Sequence, residues 1–345
     1  MNYIGSKVKL SGFIVDSIVQ TVAKSKPLSE CVFCDLFAGT GAVGRVFKGK
    51  VRKVIANDRE FYSFVLNKNY IENHRAIKNL DAIVARLNDL QGIKGKIYEN
   101  YSHSGTKDKE FQRLYFSDEN AAKIDAVRQK IEHLKNTNAI NLNEYYFLLA
   151  SLLESADKVA NVASVYGAFL KTLKKSALKT MEFKGAEFEC NDNAHEVFQQ
   201  NASDLITKIS GDILYLDPPY NAREYGANYH LLNTIARYDD FVPQGKTGLR
   251  EYEKSAFCKK ASALNALENL IKNADFKWIF LSYNDEGILG LDEIASLFKK
   301  YGKYELTSKI YQRFKADSTR NHKQDSTIEY LHILEKDKKI SKIKE

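Results

Sequence analysis

The sequence is poor in the residues that mark linker-rich, disulfide-stapled or membrane-spanning proteins. It contains only 4 prolines and 4 cysteines among 345 residues. Long proline-rich linkers are therefore excluded, and a disulfide framework is not expected. No stretch of about 18 apolar residues is present, which is the length that a membrane-spanning helix needs. The segment from Met1 to Leu10 lacks the apolar run of a secretory signal. These absences predict a protein of the reducing cytoplasm with no membrane partner.

The cysteines also fail to form a metal-binding pattern. Cys31 and Cys34 have the spacing of two zinc ligands, but no second pair follows them. Both lie in a short apolar run, so buried thiols are the expected state. We therefore expect no metal site.

Basic residues outnumber acidic residues. Lys and Arg total 52 against 44 Asp and Glu, which gives a net charge of +8 and a pI near 9.0. A cationic surface attracts phosphate backbones, so this balance fits a nucleic-acid partner. A mildly basic enzyme with no such partner would have the same balance. The length and a 44% apolar composition allow a full core plus an insertion.

Strand-like runs surround a glycine turn near the N-terminus. The apolar run from Cys31 to Phe37 predicts a buried strand, Ala38-Gly39-Thr40-Gly41 predicts a turn, and Ala42 to Phe47 predicts a helix. A second predicted strand, from Lys53 to Ala56, ends at Asn57-Asp58. This order is typical of a doubly wound, parallel α/β sheet.

The alternation of strands and helices stops between about His74 and Lys184. This part is charged and helix-rich, and its clearest helix is predicted from about Glu144 to Lys175. The basic end of that helix would ordinarily be a solvated face. Further strands, including a closing antiparallel pair, are predicted around Val197–Gln199, Asp212–Leu216, Trp278–Tyr283, Tyr304–Tyr311 and Ile328–Leu334. We therefore expect an α/β core of residues 1–73 and 185–345, with a helical insert at 74–184.

The glycine turn has the character of a nucleotide site. Phe37-Ala38-Gly39-Thr40-Gly41 lies at the sheet edge where doubly wound folds bind ligands, and its glycines allow close approach of the backbone. Asp58 ends the next strand and can accept hydrogen bonds from both hydroxyls of an adenosine ribose. Gly44 completes the Gly-x-Gly-x-x-Gly spacing of nicotinamide-dependent oxidoreductases. The turn alone therefore leaves two classes of enzyme open.

The tetrapeptide Asp217-Pro218-Pro219-Tyr220 favours methyl transfer. The N6 lone pair of adenine is delocalised into the ring and is a poor nucleophile. The Asp217 carboxylate and the Pro218 carbonyl can each accept one N6 hydrogen bond, which localises the lone pair toward an incoming methyl group. The prolines stiffen the loop, and Tyr220 offers a flat face for stacking a base. The structural alternative is a rigid turn that ends in a satisfied Asp. An oxidoreductase does not explain the tetrapeptide.

Taken together, these motifs resemble the D12-class, or alpha-group, adenine-specific DNA methyltransferases over most of the chain and in the order of that family. Tyr3-Ile4-Gly5-Ser6-Lys7 looks like the family's opening element. Asn201-Ala202-Ser203-Asp204 looks like the segment that contacts the adenine of the cofactor, and Asp217-Pro218-Pro219-Tyr220 is similar to the catalytic tetrapeptide. The following segments, 221–225 and 228–230, are similar to a subgroup found in restriction–modification systems.

The resemblance implies a Rossmann-like, S-adenosylmethionine-dependent methyltransferase core with a mostly helical target-recognition insert. It implies catalysis by Asp217, Pro218 and Tyr220, without a metal. The implied roles in cofactor binding place Gly39 and Gly41 at the methionine end, Asp58 at the ribose and Asp204 at the adenine. The whole implied cofactor site consists of Tyr3, Lys7, Phe37, Gly39, Gly41, Asp58, Asp204 and Asp217.

The resemblance also implies double-stranded DNA as the substrate, with one adenine extruded and stacked near Tyr220. Lys7 would touch the cofactor or the target strand. The candidates for DNA contact are Arg113, Lys171, Lys175 and Arg250. The chain would be either the modification enzyme of a restriction–modification system, with a cognate restriction endonuclease as its partner in the cell, or an orphan relative without one. We expect a monomer or weak dimer in the cytoplasm, associated with the bacterial nucleoid.

Besides the oxidoreductase, the alternatives are another amino-methyltransferase and a non-catalytic nucleotide-binding regulator. Ribosomal RNA guanine-N2 methyltransferases can carry a similar Asp-Pro-Pro signature, but they usually lack a large helical insert. Protein glutamine and many cytosine-N4 enzymes carry Asn or Ser in place of Asp217. A non-catalytic nucleotide-binding regulator would not need an intact Asp217 and Tyr220.

Overall fold

The computed structural model describes residues 7–312 and 326–337, and it divides into two compact units. The sheet unit comprises residues 7–74, 191–224, 254–312 and 326–337 of this part of the chain. The helical unit comprises residues 75–190 and 225–253. All the strands given below belong to the sheet unit.

The described residues form seven β-strands and thirteen α-helices. The strands are β1 (Val32–Asp35), β2 (Lys53–Asn57), β3 (Glu196–Phe198), β4 (Ser210–Leu216), β5 (Asp275–Asn284), β6 (Gly302–Gln312) and β7 (Ser326–Lys336). The helices are α1 (Ser11–Val22), α2 (Ala42–Lys48), α3 (Phe61–Asn67), α4 (Leu80–Asn88), α5 (Lys96–Tyr101), α6 (His103–Thr106), α7 (Asp118–Asn136), α8 (Leu142–Val159), α9 (Ala202–Leu205), α10 (Tyr225–Asn228), α11 (His230–Arg237), α12 (Lys260–Asn273) and α13 (Leu291–Lys299).

The sheet unit is built on one sheet with the strand order β3-β2-β1-β4-β5-β7-β6. Strands β1 to β5 pair in parallel, whereas β7 runs antiparallel to both of its neighbours. This arrangement confirms the predicted doubly wound α/β fold and its closing antiparallel pair. Each strand predicted from the sequence is present, with ends that differ by a few residues.

Alternating side chains cover the two faces of the sheet. Cys34, Leu214 and Ile279 belong to one buried apolar cluster, which includes side chains from α12 and α13. Their strand neighbours Phe33 and Ile213 belong to a second cluster, which includes side chains from α1 and α2. Because both faces are covered, the central residues of these strands are mainly apolar on both faces, as in buried parallel strands.

Asn57 fixes the carboxyl edge of this sheet. Its side-chain amide donates hydrogen bonds to the carbonyls of Leu36 (3.1 Å) and Gln200 (3.2 Å), and its oxygen accepts one from the amide of Gln200 (3.0 Å). The residue is 2% exposed. Asn57 therefore ties the chain after β1 and the chain after β3 to the end of β2.

Helices α7 and α8 form the centre of the helical unit. Asn141 begins α8 with a capping box, in which its side chain accepts from the amide of Glu144 and the Glu144 carboxylate accepts from its amide. The helix ends at Val159, earlier than the predicted end near Lys175, because Ala160 has extended backbone angles. Asn161 then donates to the carbonyls of Leu114 and Leu170. The basic residues from Lys171 onward therefore lie outside this helix.

The helical unit contains a segment that the predicted boundaries assign to the core. Residues 225–253 group with residues 75–190. The buried Arg128 of α7 donates to the carbonyls of Ile235 and Ala236 in α11, each at 3.0 Å. The assignment of residues 74–184 to target recognition stays a prediction.

Within residues 7–312 and 326–337, no helix is both long and apolar enough to cross a bilayer.

We predict that Asn57→Ala lowers the free energy of unfolding by about 1–3 kcal/mol, because buried hydrogen-bonding groups lose their partners. Urea denaturation measures this change. Asn273→Ala at the end of α12 is the matched control, since its side chain donates only to the exposed carbonyl of Asn269. A loss for Asn57→Ala no larger than that for the control would contradict the role of Asn57 in tying these segments to the end of β2.

Candidate active site

Four predicted site segments follow four neighbouring strands of the sheet unit. The glycine loop follows β1, Asp58 follows β2, Asp204 lies on α9 after β3, and Asp217 follows β4. Because β1 to β4 are parallel, their carboxyl ends meet at one edge. Tyr3, a predicted cofactor residue, lies outside the described residues.

The glycine loop requires its glycines. Gly39 and Gly41 have φ angles of +52° and +76°, which side chains with a Cβ atom rarely adopt. A Cβ atom at Gly41 would lie 2.7 Å from Asn67 Oδ1. The Gly39 carbonyl accepts hydrogen bonds from Asn67 Nδ2 (3.0 Å) and from the Ser63 hydroxyl. Helix α3 therefore holds this loop in a left-handed turn.

Asp58 joins the glycine loop to the next strand. Its Oδ2 accepts a hydrogen bond from the amide of Gly39 at 2.8 Å, and its Oδ1 accepts one from the amide of Glu60 at 2.9 Å. Burial raises the pKa of the Asp58 carboxyl, although these bonds oppose the rise. Each carboxylate oxygen has a second lone pair, so Asp58 can still accept from a ligand hydroxyl.

Two buried acceptors beside the loop have no hydrogen-bond partner among the described residues. They are Asp35 Oδ1 and Asn67 Oδ1. Burial, reinforced by the negative charge of Asp217, raises the pKa of the Asp35 carboxyl to about 8. S-adenosylmethionine carries an α-ammonium group, which would supply donors to such acceptors. These two atoms and the glycine turn therefore fit the methionine end of that cofactor.

Asp35 was not identified as a site residue from the sequence. The available signal was an acidic residue that ends an apolar strand just before a glycine turn. The Asp35 side chain is 1% exposed. Burial of a carboxyl without full hydrogen bonding is costly, which indicates a functional role for this residue. Asn67 had no comparable signal, because it is a polar residue within an ordinary helical pattern.

Asp217 belongs to a buried cluster of charges. Lys7 Nζ lies 3.1 Å from Asp217 Oδ1 and 2.8 Å from Glu329 Oε1. Lys7 and Glu329 are 4% and 0% exposed. The Ser282 hydroxyl donates to Glu329 Oε1, and the Tyr311 hydroxyl donates to Oε2 at 3.4 Å. One ammonium therefore joins two carboxylates, one from the end of β4 and one from β7.

The protonation of this cluster follows from burial and from its charges. Burial raises the pKa of the Asp217 carboxyl to about 7; Glu329 adds to this rise, and Lys7 opposes it. Burial disfavours the charge on Lys7, but the carboxylates of Asp217 and Glu329 outweigh it and raise the pKa of Lys7 well above its ordinary value. Lys7 is therefore a permanent cation, whereas Asp217 changes its charge near neutral pH.

Tyr220 lies beside the same cluster. Its ring centroid is 5.4 Å from Lys7 Nζ and 5.8 Å from the ring of Tyr283, which it meets edge to face. Its carbonyl accepts a hydrogen bond from the amide of Ile288 at 2.9 Å. The predicted stacking residue is therefore held next to Asp217 by contacts on both its ring and its backbone.

Glu329 is a second residue that the sequence reasoning missed. The signal was a charged residue within the apolar alternation of β7, between Ile328 and Leu331. Its partners could not be read from spacing, because Lys7 and Glu329 are 322 positions apart.

The other predicted cofactor residues have less distinctive surroundings. The ring of Phe37 is half-buried and meets Phe257 edge to face at 5.2 Å. Asp204 is exposed on α9, which begins with the Asn201 side chain accepting from the amide of Ser203. Their contact with a cofactor stays a prediction.

The four residues predicted to contact DNA all lie in the helical unit. They differ in whether their side chains are exposed or are held by contacts within the unit. Lys171 and Lys175 are exposed. Arg113 is 5% exposed and donates to the carbonyls of Asn100, Gly245 and Lys246. Arg250 forms a two-pronged ion pair with Asp239, with both distances 2.8 Å. This geometry gives the two arginines contacts within the unit, and contact of any of the four residues with DNA stays a prediction.

A comparison with protein families matches residues 3–297 to a family described as D12 class N6 adenine-specific DNA methyltransferase. The matched region contains the glycine loop, Asp58, Asp204 and the tetrapeptide that begins at Asp217. It covers more than half of the chain.

Several curated proteins are similar over nearly the whole chain. Type II methyltransferase M.NlaIII of Neisseria lactamica is 58% identical over 97% of this chain and 99% of that protein. Type II methyltransferase M.CviAII of Paramecium bursaria Chlorella virus 1 is 38% identical over 92% of this chain and 93% of that protein. Type II methyltransferase M.FokI of Planomicrobium okeanokoites is also 38% identical, over 98% of this chain but 53% of that protein. The chain therefore belongs to the D12-class adenine-specific DNA methyltransferases, which transfer a methyl group from S-adenosylmethionine to the N6 amino group of adenine.

Proposed function

We propose that Asp217 is the catalytic carboxylate of this DNA adenine methyltransferase and that it acts on an adenine flipped out of the duplex. The observation that carries the proposal is its position at the end of β4, where Lys7 holds one oxygen at 3.1 Å and Tyr220 lies alongside. Flipping has an unstacking cost of a few kcal/mol, which contacts in the pocket offset.

The residues around Asp217 divide the work of the reaction. The Asp217 carboxylate and the Pro218 carbonyl accept the two N6 hydrogens, which directs the nitrogen lone pair away from the ring. The Tyr220 ring stacks on the base. When bound, S-adenosylmethionine supplies the methyl group as an electrophilic sulfonium. As N6 gains a positive charge, the Asp217 carboxylate stabilises that charge and is placed to accept the departing proton.

We infer that different segments along the same edge of the sheet bind different parts of the cofactor. Gly39 and Gly41 allow close approach of the methionine end, where Asp35 and Asn67 present acceptors that have no partner in the part of the chain that the structure describes. Asp58 accepts from the ribose hydroxyls, and Phe37 and Asp204 border the adenine. Tyr3 and Lys7 complete the site in the family's pattern.

The helical unit is the proposed target-recognition region, with Lys171 and Lys175 as phosphate contacts. Arg113 supports the same function indirectly, because it fixes the turn at 244–249 through two of its carbonyls. In that turn Gln244 and Lys246 are exposed.

We further propose that the cellular partner is a cognate restriction endonuclease. Several relatives are named as Type II methyltransferases or modification methylases, and such enzymes protect DNA from a nuclease of the same specificity. A chain with this role works as a monomer or weak dimer where bacterial DNA lies, in the cytoplasm on the nucleoid.

Asp58→Ala is expected to weaken S-adenosylmethionine binding, because hydrogen bonds to a charged acceptor contribute about 1.5–3 kcal/mol each. Titration calorimetry measures the affinity. Asp81→Ala, an exposed carboxylate on α4, is the matched control and should bind normally. Equal affinity for both variants would give Asp58 a structural role only.

Affinity for DNA is expected to fall steeply with salt, because phosphate contacts release counterions. Replacing both Lys171 and Lys175 with Gln should reduce the slope of log K against log salt by about 0.9 for each lost phosphate contact. Lys174→Gln is the control, since the Lys174 ammonium is half-buried and donates to the carbonyl of Val162 at 2.7 Å. A double variant with the wild-type slope would remove both lysines from the interface.

Asp217→Ala is expected to abolish most methyl transfer while cofactor and DNA binding remain. Removal of one preorganised electrostatic contact typically costs about 100- to 1000-fold in rate, and DNA affinity comes mainly from phosphates. Asp217→Asn should be less severe, because the amide oxygen can still accept from N6. Single-turnover methylation of a duplex with adenine at the target position reports the chemistry, and the fluorescence of a matched duplex with 2-aminopurine at that position, which has no N6 amino group, reports flipping.

Tyr220 supplies the matched comparison within the same loop. Tyr220→Phe keeps the ring and should have a mild effect, whereas Tyr220→Ala should lose about 1–3 kcal/mol of stacking. Near-wild-type methylation of adenine by Asp217→Ala would remove the tetrapeptide from the catalytic role.

A further inference from the structure

Glu329 is a fully buried carboxylate that the reaction described above does not use. It lies on β7 opposite Asn284 of β5 and Lys309 of β6. Its Oε1 accepts from Lys7 Nζ at 2.8 Å and from the Ser282 hydroxyl, and its Oε2 accepts from Tyr311 at 3.4 Å. A carboxylate that is 0% exposed is costly to bury. Its position therefore needs a reason.

The geometry of Lys7 supplies that reason. The ammonium lies closer to Glu329 (2.8 Å) than to Asp217 (3.1 Å), so it is shared between two carboxylates. At Asp217 it contacts Oδ1 alone, and among the described residues no group pairs with Oδ2. A buried ammonium with Asp217 as its sole partner would bind that carboxylate more tightly. It would then compete with the adenine amino group for the same oxygens.

We propose that Glu329 is a positioning residue for methyl transfer, which holds Lys7 back from Asp217 so that the catalytic carboxylate remains available to the adenine amino group. The proposal rests on the proposed role of Asp217. Glu329 touches neither the base nor the cofactor in this role, because it acts through the Lys7 ammonium.

The positioning role of Glu329 predicts a specific pH dependence of the methylation rate. Asp217 must be ionised to accept from N6, so the rate rises with pH as this carboxyl loses its proton. Both the negative charge of Glu329 and the retention of Lys7 by Glu329 favour the protonated form of Asp217. Without the negative charge of Glu329, Lys7 would move toward Asp217, and the Asp217 carboxyl would lose its proton at lower pH. The titratable groups that face Asp217 are Lys7, Glu329, Asp35 of β1, Tyr215 of β4 and Tyr220.

The titratable neighbours of Asp217 other than Lys7 and Glu329 do not obscure this pH dependence. Burial raises the pKa of both Tyr215 and Tyr220, so these phenols stay neutral in the range of interest. Asp35 titrates near the same range, since burial raises its pKa to about 8. It is unchanged in every variant compared below, so a difference between variants reports the Lys7 and Glu329 charges.

The test is single-turnover methylation of duplex DNA with saturating S-adenosylmethionine, measured from about pH 5 to pH 9. Glu329→Gln should move the acid limb of the rate profile to lower pH by about one unit, which is the scale of a nearby charge. Its plateau rate should fall about 10- to 100-fold, because Lys7 is displaced toward the reacting group. Lys7→Met should move the acid limb in the opposite direction, since a positive charge is removed.

Two further variants separate positioning from stability. Glu329→Asp keeps the charge on a shorter side chain, so its acid limb and plateau should lie between those of the wild type and Glu329→Gln. It also carries the test if Glu329→Gln does not fold. Ser282→Ala removes a neutral partner of Glu329 and should lower thermal stability without moving the acid limb.

A wild-type acid limb in both Glu329→Gln and Glu329→Asp would overturn the proposal. A loss of rate that follows thermal stability across all variants, with no displaced limb, would also overturn it. Failure of the underlying catalytic assignment has a different appearance, because Asp217→Ala would then remain active. If Asp217→Ala is inactive and the acid limb of Glu329→Gln is not displaced, the result contradicts only the positioning role of Glu329.

Discussion

The ion pair of one buried ammonium with two carboxylates is the interaction on which the proposed catalytic edge depends. Lys7 comes from the beginning of the described chain, Asp217 from the end of β4, and Glu329 from β7. A buried charge that loses its partner is destabilising by about 3–5 kcal/mol. The N-terminal segment, the loop after β4 and the antiparallel strand β7 must therefore be in place together. The antiparallel closure of the sheet thus serves the active site as well as the core.

Parallel strand pairing explains why the other proposed ligand-binding groups lie together at this edge. Strands β1 to β4 all end there, so the segments that follow them need hydrogen-bond partners at the same place. Asn57 meets part of that need with its three hydrogen bonds. Asp58 meets another part by accepting from Gly39 and Glu60. Asp35 Oδ1 and Asn67 Oδ1, which have no partner among the described residues, are acceptors at which a ligand with donor groups would gain most.

The features that were predictable from the sequence are those encoded by neighbouring residues. An apolar run beside a glycine turn identifies β1, and a second apolar run identifies β4, which the tetrapeptide at Asp217 follows directly. The end of α8 was predicted too late, because its helical periodicity continues in sequence while the chain turns at Ala160. The side chain that stabilises that turn, Asn161, has partners at Leu114 and Leu170. Such long-range partners, like the pairing of Lys7 with Glu329, leave no local pattern.

The composition of the charged cluster suits a reaction that moves a positive charge. With Lys7 protonated and both carboxylates ionised, the cluster has a net charge of −1, since one positive charge meets two negative charges. A single carboxylate paired with Lys7 would be neutral and would attract a cationic transition state weakly. Without Lys7, the negative charge of Glu329 would raise the pKa of the Asp217 carboxyl further and favour its protonated form at neutral pH. One ammonium between two carboxylates therefore keeps Asp217 ionisable near neutral pH and still leaves net negative charge at the proposed site of methyl transfer, where the methylated nitrogen would become positive.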